Sequence, residues 1–254
     1  MTQIILSGCG GRMGQAIIRA TQDSDTVRIV AGVDINAESV APACTFPVYS
    51  SISEFPGKAD VIVDFSHHTA LHALGEYATK TSTPIVVATT GHTDEERAEM
   101  QELAKKIPIF FSGNMSIGIN LLIELSRLAS ETLGMDFDVE IIEKHHNQKL
   151  DAPSGTALML ADGIADTRED NEYVYDRHSV RKKREPREIG IHSVRGGTIV
   201  GEHEVIFAGN QEIISLSHTA TSREIFANGA LRAAAYLAGK PAGMYNMSDL
   251  IRNR

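Results

Sequence analysis

Over the first half of the chain, short β-rich apolar runs alternate with stretches of helical spacing. Runs at Ile4–Leu6, Val27–Val33, Val61–Phe65, Ile85–Ala88 and Ile107–Phe111 predict strands. The intervening stretches, roughly Met13–Thr21, Thr69–Lys80 and Asp94–Lys106, predict helices. Thr93 is a candidate N-cap for the last of them, and Asp94, Glu95 and Glu96 fill its first turn, where the helix dipole favours anions. Such alternation implies βαβ units and a parallel sheet covered on both faces.

The pattern changes near Ser116. Ile119, Leu122, Ile123, Leu125 and Leu128 give Ile117–Leu133 the spacing of a long amphipathic helix. A strand-like Phe137–Glu143 follows, then a helix near Thr156–Ala165. Ile189–Val194, Thr198–Phe207 and Glu212–Thr219 predict further strands, with Gly196-Gly197 marking a turn between the first two. Consecutive strands without intervening helices imply a mixed or antiparallel sheet and a second domain. A last helix, about Arg223–Ala238, could pack on either unit.

Composition narrows the class. With 254 residues, 42% hydrophobic and 22% charged, the chain buries a sizeable core and needs no disulfide or metal staple. Cys9 and Cys44 make neither a disulfide framework nor a metal-spaced pair. The N-terminus lacks a basic segment followed by an apolar run, and no apolar run reaches the ~18 residues of a membrane span. A cytoplasmic protein without a membrane partner is expected. The net charge of −9 weighs against nucleic acid as a partner. The exception is Arg177–Arg187, six basic residues and one Glu, expected as a solvated loop. Taken as a nucleic-acid patch, Arg181-Lys-Lys-Arg184 would bring salt-sensitive binding.

Candidate chemistry begins at the first strand end. Gly8, Gly11 and Gly14 form G-x-x-G-x-x-G between strand and helix, and Asp34 ends the second strand. Glycines allow a tight turn and close backbone approach, the helix N-terminus faces a pyrophosphate, and the acid can accept hydrogen bonds from a ribose. Dinucleotide binding on a Rossmann-like sheet follows. Asp34 repels a 2′-phosphate, so NADH is preferred, with NADPH left open by Arg12. Ala88-Thr89-Thr90-Gly91 and Ser112-Gly113-Asn114-Met115 close later strands at the carboxyl edge, where ligands of such sheets sit. His178, His192, His203 and His218 show no zinc spacing, and no metal is expected.

The richest segment is Glu143-Lys-His-His-Asn-Gln-Lys-Leu-Asp-Ala-Pro-Ser-Gly-Thr-Ala157. His145 and His146 leave a strand, Lys149 follows, and Ser154-Gly155-Thr156 open a helix whose first N–H groups face outward. A lysine and a helix N-terminus together suit a carboxylate, and a neighbouring His exchanges protons near neutral pH. A lysine beside the His would lower its pKa.

Gly8-Cys-Gly-Gly-Arg-Met-Gly14, Thr89-Thr-Gly91, the His145–Ala157 run, Arg195-Gly-Gly with Ile199-Val-Gly-Glu-His203, and Ser222-Arg with Phe226-Ala-Asn-Gly-Ala230 resemble the dihydrodipicolinate reductase family. The likeness runs in order along nearly the whole chain. It implies hydride transfer from a nicotinamide to an unsaturated cyclic dicarboxylate in the diaminopimelate route to lysine. His145 matches the acid/base residue and Lys149 the second proton donor; His146, Gly155 and Thr156 match substrate-carboxylate positions. Gly8, Cys9, Gly10, Gly11, Arg12, Met13, Asp34, Ala88, Thr89, Thr90, Ser112, Gly113, Asn114 and Met115 match cofactor positions. The fold implied is α/β, a Rossmann-like doubly wound parallel sheet (1–115 and 223–254) plus a second α+β domain with a mixed sheet (116–222), assembled as a homotetramer. The chain departs from the family pattern at His67-His68, where a proline is usual, at Met115 for Phe, and at Ala88 for Gly. His67-His68 are expected to start a helix, with a contact from His68 to the cofactor as the other reading. Two rivals remain at this point: another two-domain NAD-dependent dehydrogenase, and a non-catalytic NAD-responsive module.

Overall fold

The alternating first half folds as a parallel sheet. In the computed structural model, which describes residues 1–22 and 24–252, the elements run β1 (Thr2–Ser7), α1 (Arg12–Gln22), β2 (Val27–Val33), α2 (Ala37–Val40), β3 (Val48–Tyr49), β4 (Val61–Asp64), α3 (Leu71–Thr81), β5 (Ile85–Val87), α4 (Asp94–Ala104) and β6 (Pro108–Phe111). Next come α5 (Ile117–Leu133), β7 (Asp138–His145), α6 (Gly155–Ala165), β8 (Glu172–Val174), β9 (Glu188–Arg195), β10 (Gly201–Ala208) and β11 (Ile213–Ala220). The chain closes with α7 (Glu224–Leu237), β12 (Gly243–Tyr245) and α8 (Met247–Arg252). Two units result, Met1–Ile117 with Glu224–Arg254, and Gly118–Arg223.

The first unit holds a seven-stranded sheet in the order β12-β6-β5-β4-β1-β2-β3, parallel throughout. Its central strands are continuous apolar runs because both faces are buried. Ile4, Leu6, Val63, Val86 and Phe110 pack with α1 and α7 on one side. Ile5, Ile62, Ile85, Val87 and Ile109 pack with α3 and α4 on the other. Thr93 caps α4 as its position predicts: its hydroxyl accepts from Glu96 N, and the Glu96 carboxylate accepts from Thr93 N. The short β3 and β12, at the two sheet edges, and the short α2 and α8 have no counterpart in the sequence pattern.

The second unit holds a mixed sheet, β11-β10-β7-β9-β8. β10 pairs antiparallel with both β11 and β7, whereas β7 and β8 run parallel to β9. The Gly196-Gly197 turn therefore does not join neighbouring strands: the chain crosses β7 between β9 and β10. The last of these strands begins at Gly201 rather than Thr198, because Gly196 N and Gly197 O bond to His145 O and Asn147 N across the turn. Only part of the apolar pattern of α5 packs within this unit. Leu122 joins the core formed by Val139, Ile141, Leu160, Ile164, Val205 and Phe207. Leu125 and Leu128, a different side of the helix at 100° per residue, are exposed.

The basic run is a largely exposed loop, as expected, but four of its six cations are ion-paired with the second sheet. Arg184 is held by Asp138 (2.6 Å), by Glu140 (3.1 Å) and by the Val139 carbonyl (3.0 Å). Arg177 bonds both Glu140 and the buried Glu188, Lys182 pairs with Glu188 at 3.1 Å, and Arg187 pairs with Glu172 at 3.0 Å. Acids on β7, β8 and β9 absorb these cations, because strands distant in sequence lie side by side. Among the described residues, no helix is long and apolar enough to cross a membrane.

In α7, Ala227, Ala230, Ala233 and Ala234 are buried against the first sheet, and a Cβ at Gly229 would overlap the Met115 carbonyl oxygen. Gly229→Ala is expected to destabilise the first unit by about 1–3 kcal/mol or more, since backbone cannot step aside cheaply. A lowered urea midpoint checks this, and an unchanged midpoint contradicts the packing.

Candidate functional site

Ser7 ends β1, and the glycine loop turns the chain into α1. Gly8 sits at φ +77°, a conformation that favours glycine, and its N–H donates to the Val33 carbonyl at 2.8 Å. Asp34, one residue beyond β2, is tied to this loop: Oδ2 accepts from Gly10 N (2.9 Å) and Oδ1 from Asn36 N (3.0 Å). Gly8, Gly10, Gly11 and Asp34 line a cavity of about 870 Å³ whose far wall includes Ser51 and His67. Among the described residues, Asp34 is the one carboxylate in that lining, and no Lys or Arg belongs to it. A Cβ at Gly10 would come within 2.9 Å of Asp34 Oδ2 and into the Val40 side chain, so the loop accepts only glycine beside its acid. Glycines that leave room for close backbone approach, the start of α1 and an acceptor carboxylate fit a dinucleotide.

The other expected cofactor positions divide. Cys9 lies buried beneath the loop, its thiol pushed up to about 12 by burial and then by the Asp34 charge, so it offers backbone rather than sulfur chemistry. Met13 packs into the core, and Arg12 is exposed outside the cavity lining. Ala88, Thr89 and Thr90 follow β5; Thr89 Oγ1 donates to Asp64 Oδ2 (3.2 Å) and meets His92 Nε2 (3.2 Å). Ser112, Gly113, Asn114 and Met115 follow the adjacent β6; Ser112 Oγ donates to the Asn114 carbonyl at 2.8 Å, and the Met115 side chain is buried in the core. Both loops stand at carboxyl strand ends but outside the cavity lining. His68 begins a short 3₁₀ turn that leads into α3, and its Nδ1 binds Glu96 at 2.7 Å; His67, not His68, lines the cavity.

In the second unit, the strand period of two puts Glu143 and His145 on one face of β7, and both are buried. Glu143 is fully enclosed. It accepts from Arg195 Nη1 (2.8 Å) and Nη2 (2.7 Å), from His145 Nδ1 (2.6 Å) and from Ser154 N (3.1 Å). Burial works to push its carboxyl up, but these bonds and one from Ser193 outweigh it and hold it down at about 2. The His145 imidazole is pushed below its ordinary value, chiefly by burial, with Glu143 opposing and Lys149 and Arg195 adding to the shift.

Lys149 is half-buried and pairs with Asp151 at 2.9 Å. His146 is half-buried at the strand end. Ser154 caps α6, accepting from Ala157 N at 3.2 Å, and its hydroxyl meets His203 Nε2 at 3.1 Å. Gly155 and Thr156 form the first turn of α6, with open space where a Gly155 side chain would stand. His145, Lys149, Gly155 and Thr156 thus belong to one unit and one strand-to-helix connection, together with His203, whose ring lies 5.2 Å from that of His145. Sequence reasoning assigned no part to Glu143, Arg195 or His203, although the period of two already put Glu143 beside His145. Among the described residues, no group of three or more His, Cys, Asp or Glu could hold a metal.

Two family models cover the chain: dihydrodipicolinate reductase, N-terminus, over residues 2–115, and dihydrodipicolinate reductase, C-terminus, over residues 118–251. A protein of Caldanaerobacter subterraneus named 4-hydroxy-tetrahydrodipicolinate reductase is 50% identical over 253 residues, spanning 99% of each chain. Its namesake in Clostridium tetani is 50% identical over 254 residues, 100% of this chain and 98% of the other. Among solved structures, a dipicolinate-bound dihydrodipicolinate reductase from Paenisporosarcina sp. TG-14 matches with a TM-score of 0.79 and 26% identity, covering 97% of each chain.

Gly10→Ala is expected to weaken NADH binding about tenfold or more, roughly 1.4 kcal/mol, and to lower the melting midpoint because the new Cβ meets Val40; fluorescence titration at a temperature where the variant is folded reads the first, and wild-type affinity contradicts the cavity as the nucleotide site. Acid stability follows from Glu143 and Glu188, both held down at about 2 and, for Glu188, chiefly by Arg177. A depressed carboxyl contributes stability above its unfolded value near 4.5 that is lost as pH falls toward 2. Urea midpoints should therefore drop between pH 5 and pH 2 (roughly the window set by linkage), and a flat profile there would contradict both ion networks.

Proposed function

The chain belongs to the dihydrodipicolinate reductase family, and from that premise we propose that it reduces 4-hydroxy-tetrahydrodipicolinate to tetrahydrodipicolinate in the diaminopimelate route to lysine. The observation that carries the reading is His145, tied by Nδ1 to a buried carboxylate on the same connection as Lys149 and the start of α6. Such a group supplies the proton that a reduced, conjugated dicarboxylate requires.

The bound nicotinamide nucleotide supplies the hydride. Gly8, Gly10, Gly11 and Asp34 hold it, with the start of α1 toward the pyrophosphate, the glycines leaving room for its close approach, and the carboxylate toward a ribose. Cys9, Arg12 and Met13 complete that turn, and Ala88, Thr89, Thr90, Ser112, Gly113, Asn114 and Met115 form the loops that border the nicotinamide half. A lining with one carboxylate and no cation favours NADH, since a 2′-phosphate would meet Asp34 uncompensated. Arg12, at the exposed start of α1, is the residue through which NADPH is accommodated less well.

Lys149, His146, Gly155 and Thr156 receive the substrate carboxylates through one ammonium and the first turn of α6. Two carboxylates beside His145 favour its imidazolium, which offsets the downward shift from burial and readies Nε2–H for transfer. Lys149 assists as a second donor. The resemblance also implies a cytoplasmic homotetramer joined through the second sheet, and β11, an edge strand carrying the exposed Ile213, suits such pairing.

His145→Ala should lower kcat by about 10²–10⁴-fold, the usual worth of a positioned acid, with KM little altered; Lys149→Ala should harm both. Consumption of NADH against NADPH with freshly generated substrate tests the whole reading. Wild-type turnover by His145→Ala removes the donor assignment, and consumption of neither nucleotide removes the reaction.

A further inference from the structure

Glu143 touches neither solvent nor any group assigned to substrate, yet it organises the group that does the chemistry. It is the fully buried carboxylate of the second unit's site, bonded twice to Arg195 and once each to Ser154 N and His145 Nδ1. We propose that Glu143 is a positioning residue for the reduction: ionised and clamped by Arg195, it takes the Nδ1 proton of His145 as a hydrogen bond and makes Nε2 the atom that carries the transferred proton. The inference rests on His145 being the proton donor.

A neutral imidazole has one donor and one acceptor nitrogen, and the neighbour of each decides which is which. A carboxylate whose oxygens already receive Arg195 and Ser154 N can only accept, so the 2.6 Å contact requires hydrogen on His145 Nδ1. A second observation agrees. Gly201 on β10 lies directly against Nε2: a Cβ there would stand 3.1 Å from it, so glycine leaves that nitrogen uncovered. The orientation comes from three elements, since Glu143 and His145 belong to β7, Arg195 is the register partner of His145 on β9, and Gly201 opens β10.

The charged and titratable groups around His145 are few. Glu143 faces it from its own strand, Arg195 from β9, His203 from β10, and Lys149 with its partner Asp151 from the following loop; His218 on β11 stands behind His203. Burial, reinforced by His145, pushes the His203 imidazole down to about 4, so it stays uncharged near neutral pH and does not compete as the acid. Glu143 is accordingly the group that favours the imidazolium of His145 against burial and two cations.

Glu143→Gln separates positioning from mere support. The amide keeps the volume and, with its oxygen in the place of Oε1, the bonds from Arg195 Nη2 and Ser154 N; its NH₂ then stands in the place of Oε2, where it gives up the bond from Arg195 Nη1 and donates to Nδ1, which must accept. The proton of neutral His145 moves to Nε2, and the imidazolium loses its counter-charge. The expected result is a kcat about 10²-fold lower or more, KM little changed, and the alkaline limb of the kcat/KM profile moved to lower pH. Nitrogen-15 shifts of labelled His145 should change from the Nδ1–H to the Nε2–H form. Glu143→Asp, which keeps the charge, should restore the Nδ1–H form and most of the limb's position. An unmoved limb with an unchanged tautomer in Glu143→Gln overturns the proposal, as does equal impairment of both variants with no pH shift. Should Glu143→Gln fail to fold, the wild-type spectrum decides: an Nε2–H tautomer overturns the proposal and Nδ1–H supports it. His145→Ala with wild-type turnover would remove the donor reading and this one together; an inactive His145→Ala with negative Glu143 results removes this one alone.

Discussion

A carboxylate removed from water stays ionised only where cations and N–H groups replace its hydration, and Glu143 is such a case. Its hydrogen bonds come from Ser193 and Arg195 on β9, from the residue two places on in β7 and from the N-cap of α6. Losing any one of these partners leaves a buried charge undersatisfied, so strand ends and helix start are held to a common point. The connection between them, carrying His146 and Lys149, is fixed at both ends as a consequence. The opposite end of the same sheet repeats the device: buried Glu188 is matched by Arg177 and Lys182, and Glu140 by Arg177, Arg184 and His192. The sheet is apolar in its middle and ionic at its ends.

The nucleotide-binding unit solves its problem with backbone. Gly8 and Gly10 pass where a Cβ would clash, and the Asp34 carboxylate both braces the loop through Gly10 N and faces the cavity. On the proposed reading, with one acid and no Lys or Arg among the described lining residues, selection between nucleotides reduces to a single electrostatic contrast at the ribose. The two units thus divide the labour: one cradles through rigid main chain, while the other sets the protonation of a side chain through buried charge.

What was legible in the sequence follows from how local the cause is. Continuous apolar runs announced the parallel sheet because its strands are covered on both faces, and Thr93 with Glu96 announced a helix start three residues apart. The glycine loop and the 143–157 run were legible because each lies within one stretch of chain. What escaped depends on distant partners. β3 and β12 are too short to show a period and are strands only because a neighbour pairs with them. The Gly196-Gly197 turn looked like the link between adjacent strands, although β7 intervenes. The basic run was legible as an exposed loop, but its ion pairs were not, because a charge count along the chain does not see Glu140, 37 residues from Arg177, or Asp138, 46 from Arg184. Arg195 is 52 residues from Glu143, so the part played by that acid awaited the pairing of β7 with β9.

The two cations nearest His145 are not equivalent toward a dianion. Arg195 is bonded at both nitrogens to an enclosed carboxylate, and parting such a buried pair costs about 3–5 kcal/mol. Lys149 is paired with Asp151, which is more than half exposed, and a pair of that kind is worth about 1 kcal/mol or less. On the proposed reading, an incoming dicarboxylate takes the place of Asp151 on Lys149 at little cost and leaves Arg195 on Glu143. The exchange leaves the positioning charge intact while adding negative charge beside the imidazole, so binding itself moves His145 toward the protonated form. Capture of the substrate and arming of the acid are, on this reading, one electrostatic event, because the loose ion pair yields its cation to the substrate while the tight one keeps Glu143 charged beside the imidazole.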